Sequence, residues 1–239
     1  MPRANDPNLA RLEEAAEKLG PLLDELVLVG GCAAGLLVTD AGSAPIRPTQ
    51  DVDMLVEAST YSDYHAFGQR LVQRGFTQGQ AADDPICRWK HGGLVLDVMP
   101  LDETVLGFSN RWYREAMRAP LHLELPSGPS IAHIDAPHFL ATKLAAFRSR
   151  GEGDYLASSD LEDVVVVIDG RASIEQELST GSAELRSFIA GELKTLLAER
   201  YFLEALPGYF AGEDADGRRT RLLMDRLLSI AGPGETRDP

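Results

Sequence analysis

Cysteine and long apolar runs are scarce in this sequence. The 239 residues include only two cysteines, Cys32 and Cys87, and they do not form a CxxC pair. This argues against a disulfide framework and against a cysteine zinc site. No apolar run approaches the roughly 18 residues of a membrane helix, and the polar start of the chain lacks the apolar core of a signal peptide. We therefore expect a cytoplasmic protein with no membrane partner.

Basic residues are also in deficit. The chain has 23 Lys and Arg against 37 Asp and Glu, a formal net charge of −14. Proteins that hold duplex nucleic acid through its phosphates usually carry a basic face. Duplex DNA is therefore not expected as a partner. A local basic patch is still sufficient for one RNA end, and the acidity also suits a cationic partner.

The hydrophobic patterns change character along the chain. Strand and helix patterns alternate up to about residue 125, and mostly helical patterns follow Pro126-Ser-Gly-Pro129. We predict an α+β fold with a small mixed sheet in a domain of residues 1–125, followed by a mostly helical domain of residues 126–239. The predicted strands are 25–29, the segment from Asp51, 86–90 and 94–99, with a hairpin turn at His91-Gly92-Gly93 between the last two and a short extended piece at 130–134. The main predicted helices are 8–19, 32–38, 61–74, 137–150, 159–168, 182–199 and 220–230.

A glycine turn follows the first predicted strand. Leu26-Val-Leu-Val29 leads into Gly30-Gly31-Cys-Ala-Ala-Gly35, and the start of a helix after such a turn favours an anion. A dinucleotide fingerprint requires glycine where Cys32 stands, and the Gly-Lys-Ser/Thr end of a P-loop is missing. The alternative to a phosphate site is a tight turn that allows close helix packing.

Three aspartates stand on predicted strands. Asp51 and Asp53 occupy alternate positions and would share one face, while Asp97 interrupts the apolar run 94–99. On adjacent strands they would repel one another by about 4 kcal/mol per pair at 4 Å and a dielectric constant near 20. Mg²⁺, with two ions during turnover, would relieve this repulsion. The alternative is that Asp51 and Asp53 are ordinary polar residues and that Asp97 pairs with Arg88 or Lys90.

This order of motifs resembles a known superfamily. The elements are Gly30-Gly31, then Arg47-x-Thr49-x-Asp51-x-Asp53, then Leu96-Asp97-Val98. They resemble the nucleotidyltransferases that include DNA polymerase β, and most of all the AbiEii-type toxin nucleotidyltransferases. The resemblance spans about residues 26–100 and implies a polymerase-β-like core. It implies triphosphate contacts at Gly30 and Gly31, a nucleotide pocket lined by Arg47 and Thr49, and metal ligands at Asp51, Asp53 and Asp97.

The helical half carries weaker candidates. By the same resemblance, Lys143 and Asp160 would act in catalysis, although a solvated helix lysine is an equal alternative for Lys143. The segment Ser159-Asp-Leu-Glu162 also has the form of a capping box, which explains Asp160 and Asp163 without catalysis. The segment 148–154, rich in glycine and charge, is either a cover over a cleft or a polar loop.

The sequence thus predicts a Mg²⁺-dependent enzyme that transfers NMP from an NTP to an acceptor hydroxyl. The acceptor implied by the resemblance is an RNA end such as tRNA, or a protein, and the enzyme would be the toxin of a toxin–antitoxin or abortive-infection system with a protein antitoxin. One alternative is a small cationic acceptor such as an aminoglycoside. Another is a catalytically silent nucleotide-binding module, and a Rossmann-type oxidoreductase is a remote third.

Overall fold

The chain divides into two compact units. A computed structural model describes residues 6–82, 84–151, 153–210, 214 and 216–232. The first unit comprises residues 1–36 and 47–135, and the second comprises residues 37–46 and 136–239. Within the described ranges, no helix has the length and apolar character needed to cross a membrane.

The first unit is built on one mixed sheet. Among the described residues, seven strands follow the order β3-β4-β5-β2-β1-β7-β6. They are β1 (Leu26–Val29), β2 (Val52–Val56), β3 (Thr77–Gln78), β4 (Arg88–His91), β5 (Leu94–Pro100), β6 (Leu121–Glu124) and β7 (Ser130–His133). In the centre, β2 runs antiparallel to β1 and parallel to β5. All four residues of β1 are buried, as its unbroken apolar sequence favours for a central strand.

Helices accompany the sheet in the first unit. They are α1 (Leu9–Leu19), α2 (Gly30–Leu37), α3 (Tyr61–Gln73), α4 (Glu103–Leu106) and α5 (Tyr113–Arg118). Helix α1 buries its apolar stripe, which includes Leu12 and Leu19. Helix α3 begins at a capping box in which Thr60 accepts a hydrogen bond from the Asp63 amide and Asp63 accepts one from the Thr60 amide.

The described residues of the second unit contain helices and no strand. The α-helices are α6 (Ala136–Arg150), α7 (Ser159–Gly170), α8 (Ile174–Thr180), α9 (Ala183–Ala198), α10 (Arg200–Ala205) and α11 (Arg218–Ala231). Residues 163–170 of α7 are all buried. A helix that is apolar on every side must be enclosed by its neighbours, so α7 is the centre of this unit.

The α+β class with a mixed sheet is confirmed, and the differences from the sequence prediction lie at weakly patterned segments. Strand β7 follows the predicted domain boundary at residue 125, yet it pairs in parallel with β1 and so belongs to the sheet. Strand β6 was not predicted; it is mostly exposed and lacks an alternating pattern. Short helices such as α8 were also not predicted, since each buries only one or two apolar residues.

A buried ion pair holds residues 37–46 within the second unit. The amides of Thr39 and Asp40 donate to the Gly170 carbonyl at 2.9 and 2.8 Å. Asp169, whose exposed fraction is 0 %, accepts a hydrogen bond from the Ala44 amide at 3.0 Å. Arg219 of α11 donates to both carboxylates, at 2.8 Å to Asp40 and at 2.5 Å to Asp169. These contacts explain why this segment belongs with the helices rather than with the sheet.

Replacing Arg219 by methionine should therefore destabilise the second unit. The change Arg219→Met leaves the Asp169 carboxylate buried without its cation, and breaking a buried pair in this way costs about 3 kcal/mol. We expect a fall of that size in the free energy of unfolding measured with urea. Arg218→Met is the matched control, because the Arg218 side chain is 81 % exposed and should change stability by less than about 0.5 kcal/mol. Equal effects of the two changes would contradict the assignment.

Candidate active site

The predicted carboxylates lie on neighbouring strands of the first unit. Asp53 of β2 is the register partner of Asp97 of β5, and Asp97 is the partner of Arg88 of β4. Directly opposite residues point to the same face of a sheet, so the side chains of Asp53, Asp97 and Arg88 share one face. Asp51 lies two positions before Asp53 and reaches the same arginine. The strand adjacency on which the predicted cluster depends is therefore present.

Arg88 is the cation of this cluster. Its Nε and one terminal nitrogen donate to the two carboxylate oxygens of Asp97 at 2.9 and 2.7 Å, a bidentate pair. The same terminal nitrogen donates to Oδ2 of Asp51 at 3.0 Å. The hydrogen bond to Asp97 is the main reason why the pKa of the Arg88 guanidinium is raised above its ordinary value. The pairing of Asp97 with Arg88, which was the structural alternative, is thus observed, and it extends to Asp51.

The donor set suits a divalent cation chemically. Asp51, Asp53 and Asp97 offer carboxylate oxygens, which Mg²⁺ prefers, and two of them already converge on one positive group. As the side chains lie, no three Asp, Glu, His or Cys residues of the described chain are arranged to hold a metal ion. The Arg88 guanidinium takes the place between Asp51 and Asp97 instead.

The glycine turn closes against the same cluster. Strand β1 ends at Val29, and helix α2 begins at Gly30, whose φ is +64°. A Cβ on Gly30 would stand 1.9 Å from Oδ2 of Asp53. Position 30 therefore requires glycine twice over, for its left-handed backbone and for the close approach of the carboxylate. The first candidate phosphate contact and the second carboxylate are thus immediate neighbours.

Thr49 and Arg47 are held by a residue that the sequence analysis missed. Asn8 is 1 % exposed; its Oδ1 accepts from the Thr49 amide at 2.8 Å and its Nδ2 donates to the Arg47 carbonyl at 3.0 Å. The Thr49 hydroxyl is also 2.8 Å from the sulfur of Cys32, and burial raises the pKa of that thiol to about 12. Thr49 is buried and bonded internally, so it shapes the approach to Asp51. A lone asparagine ahead of a helix gives no sequence signal for this role.

The candidates of the helical half form a buried cluster within the second unit. Lys143 of α6 is 8 % exposed and lies 3.2 Å from Asp160 and 2.6 Å from Asp163, both on α7. Arg150 donates to Asp160 from the end of α6 at 3.0 Å. Lys143 is therefore not a solvated lysine, and Asp163 is a buried ion-pair partner rather than an exposed acid at a helix start.

The predicted capping box was placed one residue late. The N-cap of α7 is Ser158, whose side chain accepts from the Leu161 amide, and not Ser159. The burial of Asp160 acts to raise its pKa, but the hydrogen bond from Arg150 and the charge of Lys143 outweigh burial and lower it. Of the segment 148–154, residues 148–150 are the last turn of α6, and residue 152 lies outside the described residues.

Apart from this geometry, the chain is similar in fold to solved structures. No protein-family model and no curated protein sequence matches the chain. The fold is similar to the crystal structure of an antigenic nucleotidyltransferase-like protein from Paracoccidioides brasiliensis. The two share 19% sequence identity, with 86% of this chain and 94% of that chain covered, and the TM-score is 0.46. The case for a function therefore depends on the carboxylate cluster itself.

Gly30→Ala should displace the Asp53 carboxylate. The methyl group would collide with Oδ2 of Asp53, and the left-handed backbone costs a non-glycine residue about 1–2 kcal/mol. We expect a loss of about 2 kcal/mol or more in unfolding free energy. Gly93→Ala is the control, since a Cβ there meets nothing within 4 Å. A Gly30→Ala protein as stable as the Gly93→Ala protein would show that the turn does not close on Asp53.

The lowered pKa of Asp160 makes part of the stability of the second unit dependent on pH. A carboxyl whose pKa is lower in the folded chain stabilises the fold fully above its ordinary value of 3.8 and loses that effect as the pH falls towards the folded value. The stability difference between wild type and Asp160→Asn should therefore be constant near neutral pH and shrink below about pH 3.8. Urea unfolding from pH 7 to pH 3 measures it, with exposed Asp225→Asn as control. A difference that stays constant down to pH 3 would refute the assignment.

Proposed function

We propose that this protein is a Mg²⁺-dependent nucleotidyltransferase that transfers an NMP from an NTP to an acceptor hydroxyl. The observation that carries the proposal is the pairing of Asp53 with Asp97 on adjacent parallel strands, with the Gly30 turn against Asp53. This arrangement combines carboxylates for a cation with backbone amides for phosphates on one side of a sheet. Nucleotidyl transfer is a reaction that needs both.

Each group has a task in this proposal. Gly30 and Gly31 open α2, and the positive end of that helix would bind the phosphates of the NTP. Asp51, Asp53 and Asp97 would hold Mg²⁺, which when bound neutralises the phosphate charge and activates the attacking hydroxyl. Arg47, whose side chain is half-buried, would be the phosphate contact that the sequence resemblance implies.

The proposed reaction needs only the NTP and the acceptor as reactants. The acceptor oxygen bonds to the α-phosphorus while the bond from that phosphorus to the β-phosphate oxygen breaks, and pyrophosphate leaves. The hydroxyl proton passes to a carboxylate, which the resemblance assigns to Asp97.

Lys143 and Asp160 enter the proposal through the sequence resemblance alone. Lys143 would neutralise the triphosphate or protonate pyrophosphate. Within the second unit it is already paired with two buried carboxylates, Asp160 and Asp163. These pairs also give Lys143 and Asp160 a structural role within the second unit.

The acceptor is proposed from the same resemblance to toxin nucleotidyltransferases. It would be an RNA end such as tRNA, or a protein hydroxyl, and a protein antitoxin would then restrain the enzyme. A second candidate is a small cationic acceptor of the aminoglycoside type, which the net charge of −14 favours by long-range attraction. Radiolabelled NMP transfer to tRNA and to an aminoglycoside panel distinguishes the two.

Asp53→Asn should abolish nucleotide-dependent stabilisation and transfer while the protein stays folded. A ligand that binds only the native state adds about 2.7 kcal/mol to the free energy of unfolding when its concentration is 100 times its Kd, and so it raises the melting temperature of the protein. We expect one NTP to stabilise the wild type only with Mg²⁺, and Asp53→Asn to remove this shift and at least about 100-fold of the transfer rate. The exposed Asp24 provides the control, Asp24→Asn, which should behave as wild type.

Two outcomes of this experiment would redirect the assignment. Full transfer by Asp53→Asn would refute the metal assignment. Mg²⁺-dependent nucleotide binding without pyrophosphate release, whatever the acceptor, would instead identify a silent nucleotide-binding module.

A further inference from the structure

We propose that Arg88 is a resident counter-ion of the carboxylate cluster, and that a divalent cation binds Asp51 and Asp97 only when the Arg88 guanidinium leaves them. This inference rests on the proposed function for the identity of the cation and of its carboxylate ligands. It gives Arg88 a positioning role. The sequence alone offers only the pairing of Asp97 with Arg88 or Lys90, as an alternative to a metal site.

The contacts of Arg88 place it on the oxygens that a metal ion would use. Both carboxylate oxygens of Asp97 and Oδ2 of Asp51 accept hydrogen bonds from it, at 2.9, 2.7 and 3.0 Å. The side chain of Asp97 is only 9 % exposed, so a cation beside the guanidinium would be poorly screened by water. Two positive groups on the same carboxylate oxygens would repel each other there, so we expect a metal ion that takes these oxygens as ligands to displace Arg88.

The arginine also has a route away from the cluster. Its side chain is 23 % exposed, and its other terminal nitrogen lies 3.9 Å from Oδ1 of Asp84. Asp84 is held in place by Lys90, at 2.7 Å, and by the amide of Ala81, at 3.0 Å. When a divalent cation binds, the guanidinium can turn towards this fixed carboxylate and keep an anionic partner.

The consequence is a competition between two cations. While no metal is bound, Arg88 offsets part of the negative charge of the cluster and keeps Asp51 and Asp97 in position. When a metal binds, the loss of the Arg88 pairs subtracts from the binding free energy. The apparent affinity for divalent ions is therefore lower than the carboxylates alone would provide.

The competition is tested by direct Mn²⁺ binding to the full chain. Free Mn²⁺ is measured by electron paramagnetic resonance for wild type, Arg88→Met and the control Arg114→Met, without nucleotide. We expect Arg88→Met to bind Mn²⁺ at least about tenfold more tightly than wild type, which corresponds to about 1.4 kcal/mol. Arg114→Met removes the same charge from the first unit at a side chain that is 55 % exposed and paired with Asp102, so the Arg88 contacts stay intact and the affinity should stay within about twofold of wild type. Adding Asp51→Asn to Arg88→Met should reverse the gain.

Three results would overturn the inference. They are unchanged Mn²⁺ affinity in Arg88→Met, weaker affinity, and an equal gain in Arg114→Met, which would indicate a general charge effect. If Arg88→Met does not fold, Arg88→Gln replaces it: the amide still donates to Asp97 but carries no charge, and the same gain is expected. A gain together with no transfer from any NTP would sustain the Arg88 inference and refute the proposed function. Transfer by wild type with no gain would do the reverse.

Discussion

The parallel pairing of β2 with β5 brings negatively charged side chains together, and the rest of the first unit has to accommodate their repulsion. It sets Asp53 opposite Asp97 on one face of the sheet, with Asp51 close behind. At a separation of 4 Å and a dielectric constant near 20, each pair of like charges costs about 4 kcal/mol. Strand β4 lies on the other side of β5 and brings Arg88 into the same register row, so the sheet itself supplies the compensating charge. The fold thus tolerates the cluster before any ligand binds.

Close contacts hold the backbone around the carboxylate cluster in place. Gly30 lets the backbone pass directly beneath Asp53, and Asn8 ties the segment before β2 to the start of α1. The second unit follows the same rule at two other places, where Lys143 lies between two carboxylates and Arg219 covers Asp169. In each case a buried acid has a cation within hydrogen-bond distance, as the cost of burying an unpaired charge requires. At these three places the interior charge is compensated by a neighbouring charge.

Elements with a strong local pattern were predictable, and those without one were not. The apolar run of β1, the hairpin between β4 and β5 at Gly92 and the amphipathic α3 follow from periodicity and turn residues. Strand β6 and the short helix α8 depend on contacts with the rest of their units. The start of α7 was misplaced because two serines stand side by side, and local sequence does not decide which one caps the helix.

The residue types of the site were determined by the sequence alone. An aspartate inside an apolar strand, two aspartates at alternate positions and a glycine pair after a strand are local patterns, each with a chemical meaning at its own position. Only the tertiary structure decided which groups meet. The register of β4, β5 and β2 brought Arg88 to Asp97 and Asp51, and the packing of α6 on α7 joined Lys143 to Asp163. Such pairings join residues distant in the chain, and their energies depend on burial and register, which no short window of sequence contains.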